Sequence, residues 1–205
     1  MPNQVENRIH FGVPIFEFFL PHFDVHQQNL VNLIHKLKNE ENGINRSNLG
    51  GWHSDDQLHT VQDPSIKWLI EKLYTFGSKC ICHHEGDMTK SEDIHLVNCW
   101  ANINYKGHWN APHHHLPQDW SGVIYLQCGN STLQTSETIS EGDIIFFDPI
   151  GPVYSANRAA TINYSPQNGK VLLFPAFLLH MVAPHASENA RISIAFNFKI
   201  IRHLS

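Results

Sequence analysis

Three histidines stand at a spacing that metal chemistry can use. His113 and His115 lie two residues apart, His180 follows 65 residues later, and Arg191 comes eleven residues beyond that. On a β-strand, residues i and i+2 face the same side. His113 and His115 can therefore aim both imidazoles at one point, and His180 from a distant strand can complete a facial triad on a divalent ion. Neutral imidazole suits Fe(II), Cu, Ni and Zn, and three protein ligands leave positions open for substrate or oxygen. Arg191 could then hold the far carboxylate of a metal-bound organic acid through a charge-assisted pair. Ser193 shares the strand face of Arg191, and Asn102 and Asn104 share a face on the strand leading towards His113. With 16 histidines in 205 residues, spacing selects the few that matter. His113-His114-His115 alone also fits a solvated turn. His180 alone, between Leu178-Leu179 and Met181-Val182, also fits a buried core position.

Holding these side chains is a task for strands. From about Asp93 onward the chain breaks into short β-rich runs separated by Gly, Pro, Asn and Ser: Ile94–Tyr105, Trp109–His115, Ser121–Gln127, Thr132–Thr135, Asp143–Phe147, Lys170–Pro175, Leu178–Val182 and Arg191–Ile200. Runs of this kind with no helix between them point to a sandwich or a double-sheet jelly roll. Helix signals cluster earlier. Asp24 reads as an N-cap before the stripe Leu30, Leu33, Ile34, Leu37, which Gly43 ends. Asp63-Pro64 reads as an N-cap with proline at the first helical position, before Ile66, Leu69, Ile70, Leu73 and Phe76. Helices first and strands after read as α+β, mostly β, with N-terminal helices buttressing one sheet. The expectation is a single domain over 1–205, with a helical part over about 1–92 and a jelly-roll core over about 93–205. Gly151–Asn168 is the most loop-like stretch, either an active-site flap or a passive surface loop.

Composition narrows the function. The chain is 41% hydrophobic and 16% charged with a formal net charge of −5, which is globular and offers no basic run for a nucleic-acid backbone. No run approaches transmembrane length and no signal peptide opens the chain, so no membrane partner is expected. Four cysteines are too few for a disulfide scaffold at this size, and a reducing cytoplasm is the default. Cys80-x-Cys82-His83-His84 has neither the spacing nor the second pair of a structural zinc site. Dinucleotide, P-loop and serine-hydrolase motifs are absent from the sequence. Trp52, His53, Trp109, Trp120 and Tyr125 are candidates for a substrate pocket, with core packing the alternative for most of them.

Two jelly-roll families fit the histidine spacing. Gly107, His113, His115 and Asp119 fit the start of a cupin motif, and Gly169, Pro175 and His180 fit its second half, although Phe177 stands where a glycine belongs. The closer resemblance runs over most of the chain. The segments Asn98-Cys-Trp-Ala-Asn-Ile-Asn-Tyr-Lys-Gly107, Asn110-Ala-Pro-His113-His-His115 and Ser121-Gly-Val-Ile-Tyr125 resemble a "W-x-N-x-N-x-x-G … N-x-x-H-x-H … S-G-V-x-Y" signature. It belongs to a group of 2-oxoglutarate/Fe(II) oxygenases found in bacteria and phages. Gly169-Lys-Val-Leu-Leu-Phe174-Pro175, His180 and Arg191-Ile-Ser193-Ile-Ala-Phe196-Asn197 resemble its C-terminal signature.

The resemblance implies a double-stranded β-helix and a dioxygenase that uses Fe(II), 2-oxoglutarate and O2. It would hydroxylate an unactivated C–H bond with release of succinate and CO2. It also implies that His113, His115 and His180 bind the metal, and that Arg191 with Ser193 binds the C5 carboxylate of 2-oxoglutarate. Asn102 and Asn104 resemble the cofactor-contacting pair of the DNA-alkylation-repair dioxygenases. Most such enzymes use two histidines and one carboxylate; here a histidine holds the second position, and Asp119 is the alternative ligand. With no small residue in that position, halogenation is disfavoured. A cupin-type metal enzyme without 2-oxoglutarate is the second reading, and a non-catalytic ligand-binding jelly roll is the third. The expected partner is a small-molecule or peptide substrate.

Overall fold

The computed structural model describes residues 6–10, 12–86, 90–129, 141–150 and 160–202. A hairpin of β1 (Glu6–His10) and β2 (Val13–Phe19) leads into α1 (Phe23–Glu40). Two short strands, β3 (Asn48–Leu49) and β4 (Trp52–His53), precede α2 (Pro64–Glu85). The remaining strands are β5 (Ile94–Asn104), β6 (Trp109–His113), β7 (Trp120–Gln127), β8 (Ile144–Phe147), β9 (Thr161–Tyr164), β10 (Lys170–Pro175), β11 (His180–Val182) and β12 (Arg191–Ile200). They form two antiparallel sheets, a major one in the order β1-β2-β10-β7-β12-β5-β4 and a minor one in the order β3-β6-β11-β8-β9. This is the double-stranded β-helix with two buttressing helices that the sequence suggested.

Alternation along the strands of the major sheet creates three layers. Val171 and Leu173 of β10, Ile124 and Leu126 of β7, and Ile192 and Ile194 of β12 pack in one cluster with Leu30, Ile34, Leu69, Leu73 and Ile81 of the helices. The intervening residues Leu172, Phe174, Val123 and Tyr125 point the other way and join Ile144, Phe146 and Tyr164 of the minor sheet. Fully burying one such aliphatic side chain contributes about 1.5–3 kcal/mol, so helices and sheets hold each other in place. On β5 and β12 the face turned from the helices is polar. Cys99, Ala101 and Ile103 enter the helix-side core, while Asn98, Trp100, Asn102, Arg191, Ser193 and Asn197 line a cavity between the sheets.

Local signals account for most boundaries. The Asp63 carboxylate accepts from Ser65 N at 2.7 Å and Ile66 N at 3.3 Å and caps α2 as expected. Helix α1 differs, because His22 in the left-handed region is its N-cap and Asp24 lies in the first turn. There Asp24 offsets the exposed N–H groups through charge, not as a cap. The hairpin β1–β2 was not foreseen. Pro14 breaks the strand pattern near the outer end of the sheet, and Glu17 is internal only because Lys170 pairs with it at 3.2 Å. Strand β9 runs through the segment read as a loop; residues 151–159 of that segment, and the expected strand Thr132–Thr135, lie outside the described residues. Among the described residues, no helix is long and apolar enough to cross a membrane.

Candidate active site

His113 closes β6 and His180 opens β11, and the two are register partners across the minor sheet. His115 lies just beyond the strand end. The expected i, i+2 strand geometry therefore does not place it. Its backbone N–H donates to Ala176 O at 2.8 Å, and its ring leans on Trp100 at 5.5 Å between centroids. All three rings nonetheless converge. Their ligand atoms lie within 4.8 Å of one another, and the His113–His180, His113–His115 and His115–His180 centroids are 4.4, 5.0 and 5.1 Å apart.

Hydrogen bonding fixes which nitrogen is free. His113 Nδ1 lies 2.7 Å from Ala111 O and His180 Nδ1 lies 2.8 Å from Leu178 O. A carbonyl accepts only, so both Nδ1 atoms carry the proton and both Nε2 atoms keep a lone pair for a metal. Ser47 Oγ approaches His113 Nε2 at 3.4 Å. Burial first, then repulsion from His113 and other neighbouring histidines, pushes His115 down to about 3. The same causes hold His180 well below the ordinary range, and burial also lowers His113. Three neutral, preoriented imidazoles with no acid among them fit a divalent ion of borderline softness. Asp119 is not a fourth candidate: it accepts from Ile200 N at 2.9 Å, pairs with Arg202 at 2.9 Å and Lys199 at 3.1 Å, and lies outside the metal cavity.

The histidines open onto a cavity of about 570 Å³. At one end sits Arg191, 2% exposed. Its Nη1 donates to Ser193 Oγ at 3.2 Å, and its guanidinium lies 5.0 Å from the Tyr125 ring centre. Among the described residues no carboxylate pairs with Arg191, and its Nε, the Tyr125 hydroxyl and Asn102 Oδ1 are buried without hydrogen-bond partners. A buried cation with two orphaned donors, its own Nε and the Tyr125 hydroxyl, demands an anion; the Asn102 oxygen is an acceptor and calls for a donor instead. A carboxylate would satisfy the guanidinium and the hydroxyl together, which is the fit a dicarboxylic cosubstrate requires. Burial pushes the Tyr125 phenol up to about 12, so it stays a donor.

The other sequence candidates divide. Asn102 lines the cavity, whereas Asn104 is buried and reaches Asn110 Oδ1 at 3.4 Å. His53 and Tyr125 are cavity residues; Trp120 belongs to the helix-side core, Trp52 packs against that core, and Trp109 is not in the cavity wall. Trp100, absent from the expected set, stands between His115 and His53, the latter stacked on it at 5.5 Å. Its signal was the alternation Asn98, Trp100, Asn102 on one strand face. Cys80 and Cys82 form no metal cluster with His83 and His84 among the described residues.

Residues 98–197 match the family model described as "Putative 2OG-Fe(II) oxygenase". No curated protein matches the chain. Solved structures share its fold. A prolyl-4-hydroxylase from Pseudomonas putida is 16% identical with a TM-score of 0.61, covering 97% of this chain and 94% of that one. A Trichoplax adhaerens prolyl hydroxylase in complex with a hypoxia inducible factor peptide fragment is 13% identical with a TM-score of 0.60, covering 90% and 83%. HygX from Streptomyces hygroscopicus with nickel and 2-oxoglutarate bound is 12% identical with a TM-score of 0.60, covering 90% and 82%.

Proposed function

Because residues 98–197 match a 2OG-Fe(II) oxygenase family model and the chain shares the fold of such enzymes, we propose that His113, His115 and His180 hold Fe(II), and that Arg191 and Ser193 hold the C5 carboxylate of 2-oxoglutarate. When bound, iron, 2-oxoglutarate and O2 supply an oxidation that releases succinate and CO2 and places one oxygen atom in a substrate C–H bond. The protein's own work is positional. The Ala111 and Leu178 carbonyls fix two imidazole tautomers. Arg191 offers an electrostatic anchor, Tyr125 a hydrogen-bond donor, and Asn102 a further polar contact in the same wall. Phe174 and Phe146, with ring centroids 4.9 and 5.8 Å from that of His180, would shield the His180 imidazole from water. Three neutral ligands leave the ion its full positive charge, which favours an anionic chelator.

One observation carries this reading: a buried guanidinium that no carboxylate among the described residues pairs with shares a cavity with three converging imidazoles. A cupin-type enzyme has no use for the cation. Helices and strands act here as one domain, consistent with the single cluster that joins them. Four cysteines without a disulfide suit a reducing cytoplasm. The substrate is a small molecule or a peptide; among the relatives, HygX binds hygromycin B and the Trichoplax enzyme a peptide fragment. Incubation with Fe(II), 2-oxoglutarate and O2 tests the assignment. Slow succinate release without added substrate is expected, lost in His180→Ala and in chelator-treated protein. Equal succinate release from parent and His180→Ala would remove the metal assignment.

A further inference from the structure

A second polar group lies at the other end of the cavity, six residues along β12 from Arg191, or about 20 Å at strand rise. Asn197 pairs in register with Asn98 on one side and Ser121 on the other. Directly opposed residues on adjacent strands project from the same face, and all three line the cavity with Gln118. Gln118 Nε2 reaches Asn98 Oδ1 at 3.3 Å and Ser121 Oγ reaches Phe196 O at 3.5 Å. Asn197 is only 5% exposed, yet its Oδ1 has no hydrogen-bond partner. The β5–β12 register slips immediately after Asn197, a device that re-aims side chains beside functional sites.

Charge decides what this end can take. Among the described residues that line the cavity, the charged ones are Arg191, Arg46 and Asp56. Arg46 and Asp56 face each other at 3.6 Å, and Arg191 is committed to the cosubstrate. Among the described residues that line the cavity no other charge remains for a charged group at the Asn98–Asn197 end, and burying one there without a partner is costly. A group offering both a donor and an acceptor would satisfy the amide side chains and the orphaned Asn197 oxygen.

We propose that Asn98, Gln118, Ser121 and Asn197 form the substrate-recognition pole and bind an uncharged carboxamide of the substrate. This rests on the oxygenase reading, which gives Arg191 to 2-oxoglutarate. The test uses enzyme loaded with Zn(II) and 2-oxoglutarate, which does not turn over, and saturation-transfer NMR with three probes of one skeleton: N-acetylglycinamide (neutral), N-acetylglycine (anionic) and glycinamide (cationic). The neutral probe should bind at least about tenfold more tightly than either charged one, a difference of about 1.4 kcal/mol. Asn197→Leu should abolish its binding. Asn197→Asp should transfer the preference to glycinamide, an inversion that general loosening of the fold does not produce, and Gln118→Leu provides a weaker second lesion away from the buried strand. Equal binding of all three probes, no binding of the neutral one, or unchanged binding in Asn197→Leu overturns the proposal. 2-Oxoglutarate signals are read in the same spectra. Their absence from loaded parent enzyme would instead remove the oxygenase reading beneath it.

Discussion

Replacing Arg191 by Met removes the cation and keeps the bulk. Truncating one partner of a buried, hydrogen-bonded charge pair costs about 2–5 kcal/mol. Ser193 Oγ, 3.2 Å from the guanidinium, and the Tyr125 hydroxyl remain to meet the carboxylate. The loss should therefore fall near 3 kcal/mol, roughly a hundredfold in 2-oxoglutarate affinity. Stability without 2-oxoglutarate should move the other way. Arg191 is buried with its Nε unpartnered, so the Met variant should melt no lower than the parent. At a 2-oxoglutarate concentration 100 times the parent's Kd, binding stabilises the parent by about 2.7 kcal/mol. A hundredfold weaker variant gains only about 0.4 kcal/mol at the same concentration. For a chain of this size each kcal/mol moves the melting point by about 2–4 °C. A ligand-induced shift of roughly 5–10 °C should then shrink to 1 or 2 °C. Thermal melts of Zn(II)-loaded protein across a 2-oxoglutarate titration measure both effects. A variant whose ligand-induced shift matches the parent's would refute the role of Arg191, and one that melts far lower without ligand would show that the guanidinium is structural.

Further outcomes follow from the same site and its supports. Gly142 adopts φ +68°, and a Cβ there would lie 3.3 Å from Arg191 Cδ; Gly142→Ala should weaken 2-oxoglutarate binding several-fold while Zn(II) affinity stays unchanged, and a loss of both would point to general disruption. His115, His180 and His113 are all depressed below their unfolded value of about 6.5. The unfolded chain then binds more protons than the folded one as pH falls from about 6.5 towards 3, so metal-free protein should be fully stable near pH 7.5 and lose stability through that window. Urea midpoints of the parent should fall more steeply than those of His115→Gln between pH 7.5 and 5; parallel curves would contradict the burial of neutral imidazoles. Asp63→Ala removes the side-chain cap of α2 and should cost about 1 kcal/mol in urea unfolding, with no change in 2-oxoglutarate binding.

Much of this site could be read before any coordinates. The jelly-roll strands were visible because β7, β10 and β12 are apolar runs bounded by turn residues, and His113, His180, Arg191 and Ser193 sit where period-two alternation places them. His115 joins the cluster, but not by the expected cause: its ring is delivered by the chain just past β6, braced by Ala176 O and Trp100, a tertiary arrangement that spacing does not encode. Asn104 is buried behind the cavity wall: its amide donates to Asn110 Oδ1, and it is Asn110 that lines the cavity. Strand β1 escaped notice because it is mostly exposed and has no alternation to detect. The Asn98–Asn197 pole was legible in part, as polar residues alternating along two strands, but their register came only from the pairing of β5 with β12.

The most direct measurement is the visible spectrum of the protein with Fe(II) and 2-oxoglutarate under strict anaerobiosis. A metal-to-ligand charge-transfer band should develop in the parent, remain absent in His180→Ala, and require roughly a hundredfold more 2-oxoglutarate in Arg191→Met. A parent protein that binds iron and shows no such band at saturating 2-oxoglutarate would contradict the assignment of this cavity.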